Sequence, residues 1–307
     1  MNMILQLLLL SLGFVMLVLG ADWFVDGASG IAAKMRIPQL VIGLTIVAMG
    51  TSAPEAAVSI SAALKGSADI TIGNIVGSNI LNILIILGLA SAIVPIAIAK
   101  STILVDTPYM LLITAVLLLL GWDGTVSLVD GIILLVLFAA YLVYMLYMAK
   151  RGAAEEEAPK DLKLWQALLY TAVGLVLIVL GADVAVDAAT KLAQLFGMSE
   201  RFIGLTIVAL GTSLPELFTS VIAARKGNAD IAIGNIVGSN IFNILFVVGL
   251  SAIIVPVPFA ATFRIDTIIA LAAGILLLVC AAFKKKLLRW HGILLLACYG
   301  AYFLYLL

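Results

Sequence analysis

Residues 43–90 read GLTIVAMGTSAPEAAVSISAALKGSADITIGNIVGSNILNILIILGLA, and residues 204–251 read GLTIVALGTSLPELFTSVIAARKGNADIAIGNIVGSNIFNILFVVGLS. Aligned without a gap at an offset of 161, 33 of the 48 positions are identical. Each copy carries one carboxylate, Glu55 or Glu216, in an otherwise apolar stretch beside Gly, Ser, Thr and Pro. A duplicated, polar, helix-breaking segment in such surroundings points to paired half-sites for a cation.

The solvent around those segments follows from composition. The chain is 64% hydrophobic and 11% charged, with a mean hydropathy of +1.26. A water-soluble domain of 307 residues cannot hide that much apolar surface, so most of the chain is expected in lipid. About 20 apolar residues cross a hydrocarbon core. Ten runs qualify, over 3–21, 37–63, 70–94, 103–121, 127–148, 162–182, 198–224, 231–255, 265–283 and 288–306. The stretch from Leu111 to Leu120 shows none of the alternation of a membrane β-strand. The expected fold is therefore an all-α membrane protein of ten transmembrane helices. The first run lacks a preceding basic residue and a small-residue cleavage site, so it reads as a retained helix.

The offset of 161 reaches back to GADWFVDGASG at 20–30 and GADVAVDAATK at 181–191, pairing Asp22 with Asp183 and Asp26 with Asp187. Asp106 matches Asp266 once one residue is dropped. The chain thus divides into a first five-helix repeat at 1–149, a short cytoplasmic linker at 150–161 and a second repeat at 162–307. Five is odd, so the second copy enters the membrane upside down, which makes the pair an inverted repeat with its site expected near the midplane.

Lys and Arg in alternate loops divide 13 to 4: Lys65, Lys191, Arg201 and Arg264 lie on the poor side and the other basic residues on the rich one. The rich side is read as cytoplasmic, which leaves both termini outside. Zero net charge offers no basic surface for nucleic acid. The Glu155–Glu157 run in the linker reads as a solvated loop. Cys280 and Cys298 form no CxxC pair and read as packing residues, and His291 is the only histidine, which argues against histidine-based metal or catalytic chemistry.

In AMGTSAPE at 48–55 and ALGTSLPE at 209–216, Gly50 with Pro54 and Gly211 with Pro215 are expected to kink or unwind the helix. Broken backbone at membrane depth survives only when buried in protein or lining a wet cavity. The carbonyls of Ala48, Thr51, Ala209 and Thr212 then become candidate ligands, beside the hydroxyls of Thr51, Ser52, Thr212 and Ser213. The second element, GNIVGSNILN at 73–82 and GNIVGSNIFN at 234–243, adds Ser78, Asn79, Asn82, Ser239, Asn240 and Asn243. Gly73 with Gly77, and Gly234 with Gly238, make small-xxx-small surfaces for close approach to the kinked helix. Asp69 and Asp230 read as helix N-caps. The two Asp pairs at 22/26 and 183/187 read as solvated helix-end or pore-mouth groups. The ligand set is all oxygen, which suits Ca²⁺ or Na⁺ rather than Zn²⁺ or Cu⁺. Two glutamates balance one Ca²⁺.

GTSAPE with GSNILN, and GTSLPE with GSNIFN, resemble the duplicated repeats of the sodium/calcium exchanger family in the calcium/cation antiporter superfamily, and the likeness spans essentially the whole chain. The absence of a large cytoplasmic insert resembles prokaryotic members. The resemblance implies a secondary antiporter exchanging Na⁺ for Ca²⁺ by alternating access, needing no cofactor and no obligate protein partner. It also implies a calcium site at Glu55 and Glu216 with the carbonyls of Thr51 and Thr212. Sodium sites are implied at Ala48, Ser52 and Ser78 and at Ala209, Ser213 and Ser239, with Asn82 and Asn243 at the central polar position. Well-studied members carry Asp at one of the last two positions, whereas this chain has Asn at both. The GTSxPE pattern favours sodium coupling over the GNxxE pattern of the proton-coupled branch; H⁺/Ca²⁺ antiport remains the alternative. A cation channel could use the same oxygens without coupling, and an intramembrane enzyme would need a nucleophile–base pair or a motif such as HExxH, which the chain lacks.

Overall fold

The computed structural model describes residues 3–151, 162–198 and 209–306, apart from the side chains of Asp69 and Ala209. The linker expected at 150–161, with Glu155–Glu157, lies outside the described residues beyond Arg151, as does the start of the run expected at 198–224. The described residues are helical almost throughout. Among the described residues, seven helices are long and apolar enough to cross a membrane: α1 (Met3–Met35), α4 (Ile70–Ile93), α5 (Thr102–Asp123), α6 (Leu128–Lys150), α7 (Leu164–Leu195), α9 (Ala229–Ile254) and α10 (Ala261–Ala282). An eighth span is the pair α2 (Gln39–Thr51) and α3 (Ala53–Leu64), bent by 49°. Two shorter helices complete the set, α8 (Leu214–Arg225) and the 18-residue α11 (Arg289–Leu306).

Burial sorts these helices into layers. In α4 and α9, 78% and 83% of the most apolar stretch is buried, against 22% in α1 and α6. The two helices carrying the GNIVGSN segments therefore form the centre. The outer helices turn leucines such as Leu8, Leu112, Leu119 and Leu146 outward. Apolar side chains in that density on an outer surface need lipid as solvent. This is an integral, multi-pass membrane protein.

The longest helices, α1 and α7, lie against each other in opposite directions. A Cβ added at Gly13 would sit 2.7 Å from the Ala185 nitrogen, one at Gly20 2.8 Å from that of Ile178, and one at Gly27 2.5 Å from that of Thr171. Rising numbers on one helix meet falling numbers on the other. Small residues every seventh position let the backbones touch, as lipid-embedded helices require when dispersion supplies the attraction.

Four two-residue strands tie the loops. Ile96–Ala97 pairs antiparallel with Lys286–Leu287, and Thr125–Val126 with Val257–Pro258. The offset of 161 turns the first strand of each pair into the second strand of the other. Short π-helical turns interrupt α4 at Asn82–Ile86 and α9 at Asn243–Val248, so both begin on the polar residue of the motif. Such turns widen a helix by one residue and are frequent at functional positions. Nothing in the hydropathy pattern announces them.

The N-cap expectation for the two aspartates is corrected. Asn228 occupies the cap before Ala229–Phe242, and Asp230 lies within the first turn; Asp69 is itself the first residue of its helix, behind Ala68.

Candidate functional site

The kink expected from Gly50 and Pro54 falls on Ser52, whose backbone leaves helical geometry at φ −82°, ψ 8°. Ser213 repeats it at φ −90°, ψ 4°, between a single turn at Ala209–Gly211 and α8. Both Pro54 and Pro215 lie at the start of the new helix, where the missing N–H costs nothing. One residue later each helix presents its glutamate, and Glu55 and Glu216 are both 1% exposed.

The two halves then meet through reciprocal bonds. Ser52 Oγ donates to Glu216 Oε1 at 2.8 Å, and Ser213 Oγ donates to Glu55 Oε1 at 3.2 Å. Asn79 Nδ2 donates to the Asn240 carbonyl and Asn240 Nδ2 to the Asn79 carbonyl, both at 3.2 Å. Asn82 Nδ2 donates to Asn240 Oδ1 at 2.9 Å, and Asn243 Nδ2 to Asn79 Oδ1 at 3.1 Å. Each contact maps onto its mate when the halves are exchanged. Asn79 and Asn240 thus close a ring of two reciprocal bonds, and asparagine at both 82 and 243 is what lets an outer donor join it from each half, because an ionised aspartate has no proton to donate.

What the ring leaves over is more informative. Glu55 Oε2, Glu216 Oε2, Asn82 Oδ1 and Asn243 Oδ1 are buried without a hydrogen-bond partner. With both carboxyls ionised, none of these four acceptors carries a hydrogen to donate to another. Buried polar atoms normally find partners, and a group of orphaned acceptors calls for a cation.

The remaining expected residues divide. Thr51 is buried, and its Oγ1 donates to Asn235 Oδ1 at 2.9 Å. Ser239 Oγ donates to the Ala48 carbonyl at 3.4 Å, and Ser78 is buried without a bond to either glutamate among the described residues. Thr212 is half-buried and lines a separate cavity beside Gly211. The Ala48 carbonyl is not freed by the kink, as expected from sequence, but accepts the Ser52 N–H at 3.0 Å, because Ser52 still closes the last helical turn. Ala209 contributes its backbone to one turn, and its side chain lies outside the described residues.

Two further residues support the glutamates. Asn74 Nδ2 donates to the Glu55 carbonyl and to Ser59 Oγ; Asn235 Nδ2 donates likewise to the Glu216 carbonyl and to Ser220 Oγ. They stand in the GN pair of GNIVGSN and are identical between the copies, which was the available signal. The glycine surfaces are realised on one side: a Cβ at Gly238 would lie 2.6 Å from the Leu44 carbonyl, and Gly234 touches Gly43.

This architecture has known counterparts. The model of the sodium/calcium exchanger protein family matches residues 5–147 and 166–307. The chain belongs to the sodium/calcium exchanger family. Among its relatives is a putative antiporter, CaxA, of Alkalimonas amylolytica, 41% identical with 98% of both chains covered. The sodium/calcium exchanger MaX1 of Methanosarcina acetivorans is 33% identical over 96% of both. Among solved structures, the sodium-calcium exchanger NCX_Mj soaked without Na⁺ and Ca²⁺ superposes with a TM-score of 0.88 at 34% identity over the full length of both chains. The same exchanger soaked in 10 mM Na⁺ gives 0.85 at 35% identity over 98% of each. The family is one of transporters, so the oxygen-lined centre between α4 and α9 is a transport-site candidate.

Proposed function

We propose that this protein is an antiporter that moves Ca²⁺ against Na⁺ through a single central site by alternating access. The observation that carries the reading is the set of four buried, unpartnered oxygens on Glu55, Glu216, Asn82 and Asn243. Glu55 and Glu216 neutralise one Ca²⁺, with the carbonyls of Thr51 and Thr212 completing its oxygen shell. Na⁺ takes the flanking oxygens of Ser52 and Ser78 and of Ala209, Ser213 and Ser239. Because both ions draw on the same carboxylates they exclude each other, and that competition is the coupling. Neither a resident cofactor nor an enzymatic step is required.

In this reading residues 1–149 and 162–307 are inverted five-helix repeats joined by a cytoplasmic linker at 150–161, with both termini outside a prokaryotic cell membrane. The antiparallel α1–α7 pair and the reciprocal bonds between halves support that arrangement. The two long helices would slide over the core that holds the ions, opening one side at a time.

The test is ⁴⁵Ca²⁺ uptake into liposomes containing the purified protein, loaded with Na⁺ and diluted into Na⁺-free buffer, beside a parallel arm with only a pH gradient. Uptake that depends on internal Na⁺ is expected. Uptake driven by the pH gradient alone, or Ca²⁺ equilibration without any gradient, would overturn sodium coupling in favour of proton exchange or a channel.

A further inference from the structure

The halves match at the central site but differ at their mouths. Lys226 and Lys65 occupy equivalent positions, as do Asp26 with Asp187 and Asp22 with Asp183. At one mouth Lys226 Nζ reaches Asp26 Oδ1 at 2.6 Å and Asp22 Oδ1 at 2.8 Å, and it also donates to the Asp22 carbonyl. The Asp26 side chain there is only 1% exposed. Of its expected role as a solvated helix-end or pore-mouth group, the solvation is corrected: it is the buried end of an ion pair that joins α1 to the end of α8. Asn228 Nδ2 adds a bond to Ser29 Oγ at 2.9 Å.

Among the described residues, none of the equivalent contacts is made at the other mouth. Lys65 is exposed and has no ion-pair partner among the described residues. Asp187, the equivalent of Asp26, is 58% exposed and pairs only one turn along its own helix, with Lys191. Asp183, Asp187 and Thr190, the equivalent of Ser29, instead line a cavity of about 330 Å³ together with Gly211 and Thr212. That cavity leads to the residue before Ser213, the hydroxyl that holds Glu55.

The close contacts of α1 with α7 place the two mouths at opposite ends of one rigid pair. Position 27 is level with 171, so Asp26 and Asp187 are separated by roughly 22 Å along the axis at 1.5 Å per residue. A body that slides along the core and brings one mouth together must draw the other apart. We propose that Lys226 with Asp22 and Asp26, and Lys65 with Asp183 and Asp187, are alternating ion-pair latches, and that the structure holds the first closed and the second open. The inference rests on the alternating-access reading above. Each lysine ammonium, when latched, fills the acidic mouth through which a cation would otherwise enter, so the same carboxylates serve as vestibule in one state and as lock in the other. Lys191 holds Asp187 while its latch is open; the equivalent position in the first half, 30, is glycine.

The test uses the full chain in proteoliposomes, with Cys280 and Cys298 replaced by alanine and one new cysteine at either mouth, Ser29→Cys or Thr190→Cys. A membrane-impermeant thiol reagent is applied from each face. With both latches intact, Thr190→Cys should label quickly and Ser29→Cys slowly. Lys226→Met should raise labelling of Ser29→Cys by roughly tenfold and lower that of Thr190→Cys, because a buried ion pair no longer biases the equilibrium. The charge swap Lys226→Asp with Asp26→Lys should restore the original pattern, which a misfolded variant could not do. Lys65→Met should leave labelling of Ser29→Cys at its low starting rate. Rates at both mouths that stay unchanged in Lys226→Met, or a swap that fails to restore them, would overturn the latch. Sodium-dependent Ca²⁺ flux measured on the same vesicles separates the two ideas: intact coupled flux with unresponsive labelling sinks the latch alone, whereas responsive labelling without sodium coupling sinks only the choice of driving ion.

Discussion

Replacing Glu216 by glutamine removes one charge from the centre while keeping the side chain's shape. In the structure Glu216 Oε1 accepts from Ser52 Oγ at 2.8 Å, and Oε2 has no partner. If that oxygen is a Ca²⁺ ligand, the substitution deletes half of the formal charge facing the ion at a site only 1% exposed. Removing one partner of a buried charge interaction costs about 3–5 kcal/mol. At about 1.4 kcal/mol per tenfold, Ca²⁺ affinity should fall by roughly 10²- to 10⁴-fold. The ion-free protein should behave oppositely, since one uncompensated buried charge has been removed; its stability should stay level or rise. Thermal unfolding in detergent separates the two effects. At Ca²⁺ 100 times the wild-type dissociation constant, the ion should stabilise the wild type by about 2.7 kcal/mol and the variant by at most about 0.4 kcal/mol. Uptake into Na⁺-loaded liposomes should vanish in parallel. A variant whose Ca²⁺ affinity stays within about threefold of wild type would refute the site assignment, and so would one whose ion-free form collapses while its affinity is retained.

The asparagine ring and the glycine seam give two more expectations. Asn79→Ala strands both the Asn240 carbonyl and the Asn243 amide, so it should cost about 1–3 kcal/mol in detergent melts, and the Asn79→Ala/Asn243→Ala pair should be clearly non-additive, because Asn243 Nδ2 donates to Asn79 Oδ1; a coupling energy near zero would mean that this bond contributes nothing. Gly20→Ala brings a Cβ to 2.8 Å from the Ile178 nitrogen and should lower both melting temperature and flux, whereas Gly300→Ala, with open space around it, should match or slightly exceed the parent; equal behaviour of the two variants would deny the close α1–α7 contact.

Much of the site was legible because its chemistry is local. Pro54 after Gly50 foretold a break, and the bend of 49° falls two residues before the proline, at Ser52. A glutamate one residue after a proline in an apolar run was conspicuous in both copies. Other features depend on partners far along the chain. Asp26 looked like a solvated helix end because Lys226 is 200 residues away, and only packing of α1 against α8 buries the pair. The π-turns at Asn82 and Asn243 gave no periodic signal, since one extra residue in a turn scarcely disturbs an all-apolar pattern. The Ala48 carbonyl was expected to be free, but whether a carbonyl near a kink keeps its bond depends on a few degrees of backbone rotation.

The amino-acid sequence alone determined the solvent, the duplication and the polar inventory: lipid, and two copies at an offset of 161, each with one carboxylate among hydroxyls and amides in an apolar stretch. Those follow from composition and spacing, which every residue carries with it. Tertiary structure decided which oxygens remain without partners and which mouth is latched. Both depend on how two nearly identical halves cross, and two copies of one motif can make equal bonds at the axis while making unequal ones at the ends, because the helices that link the ends can occupy only one position at a time.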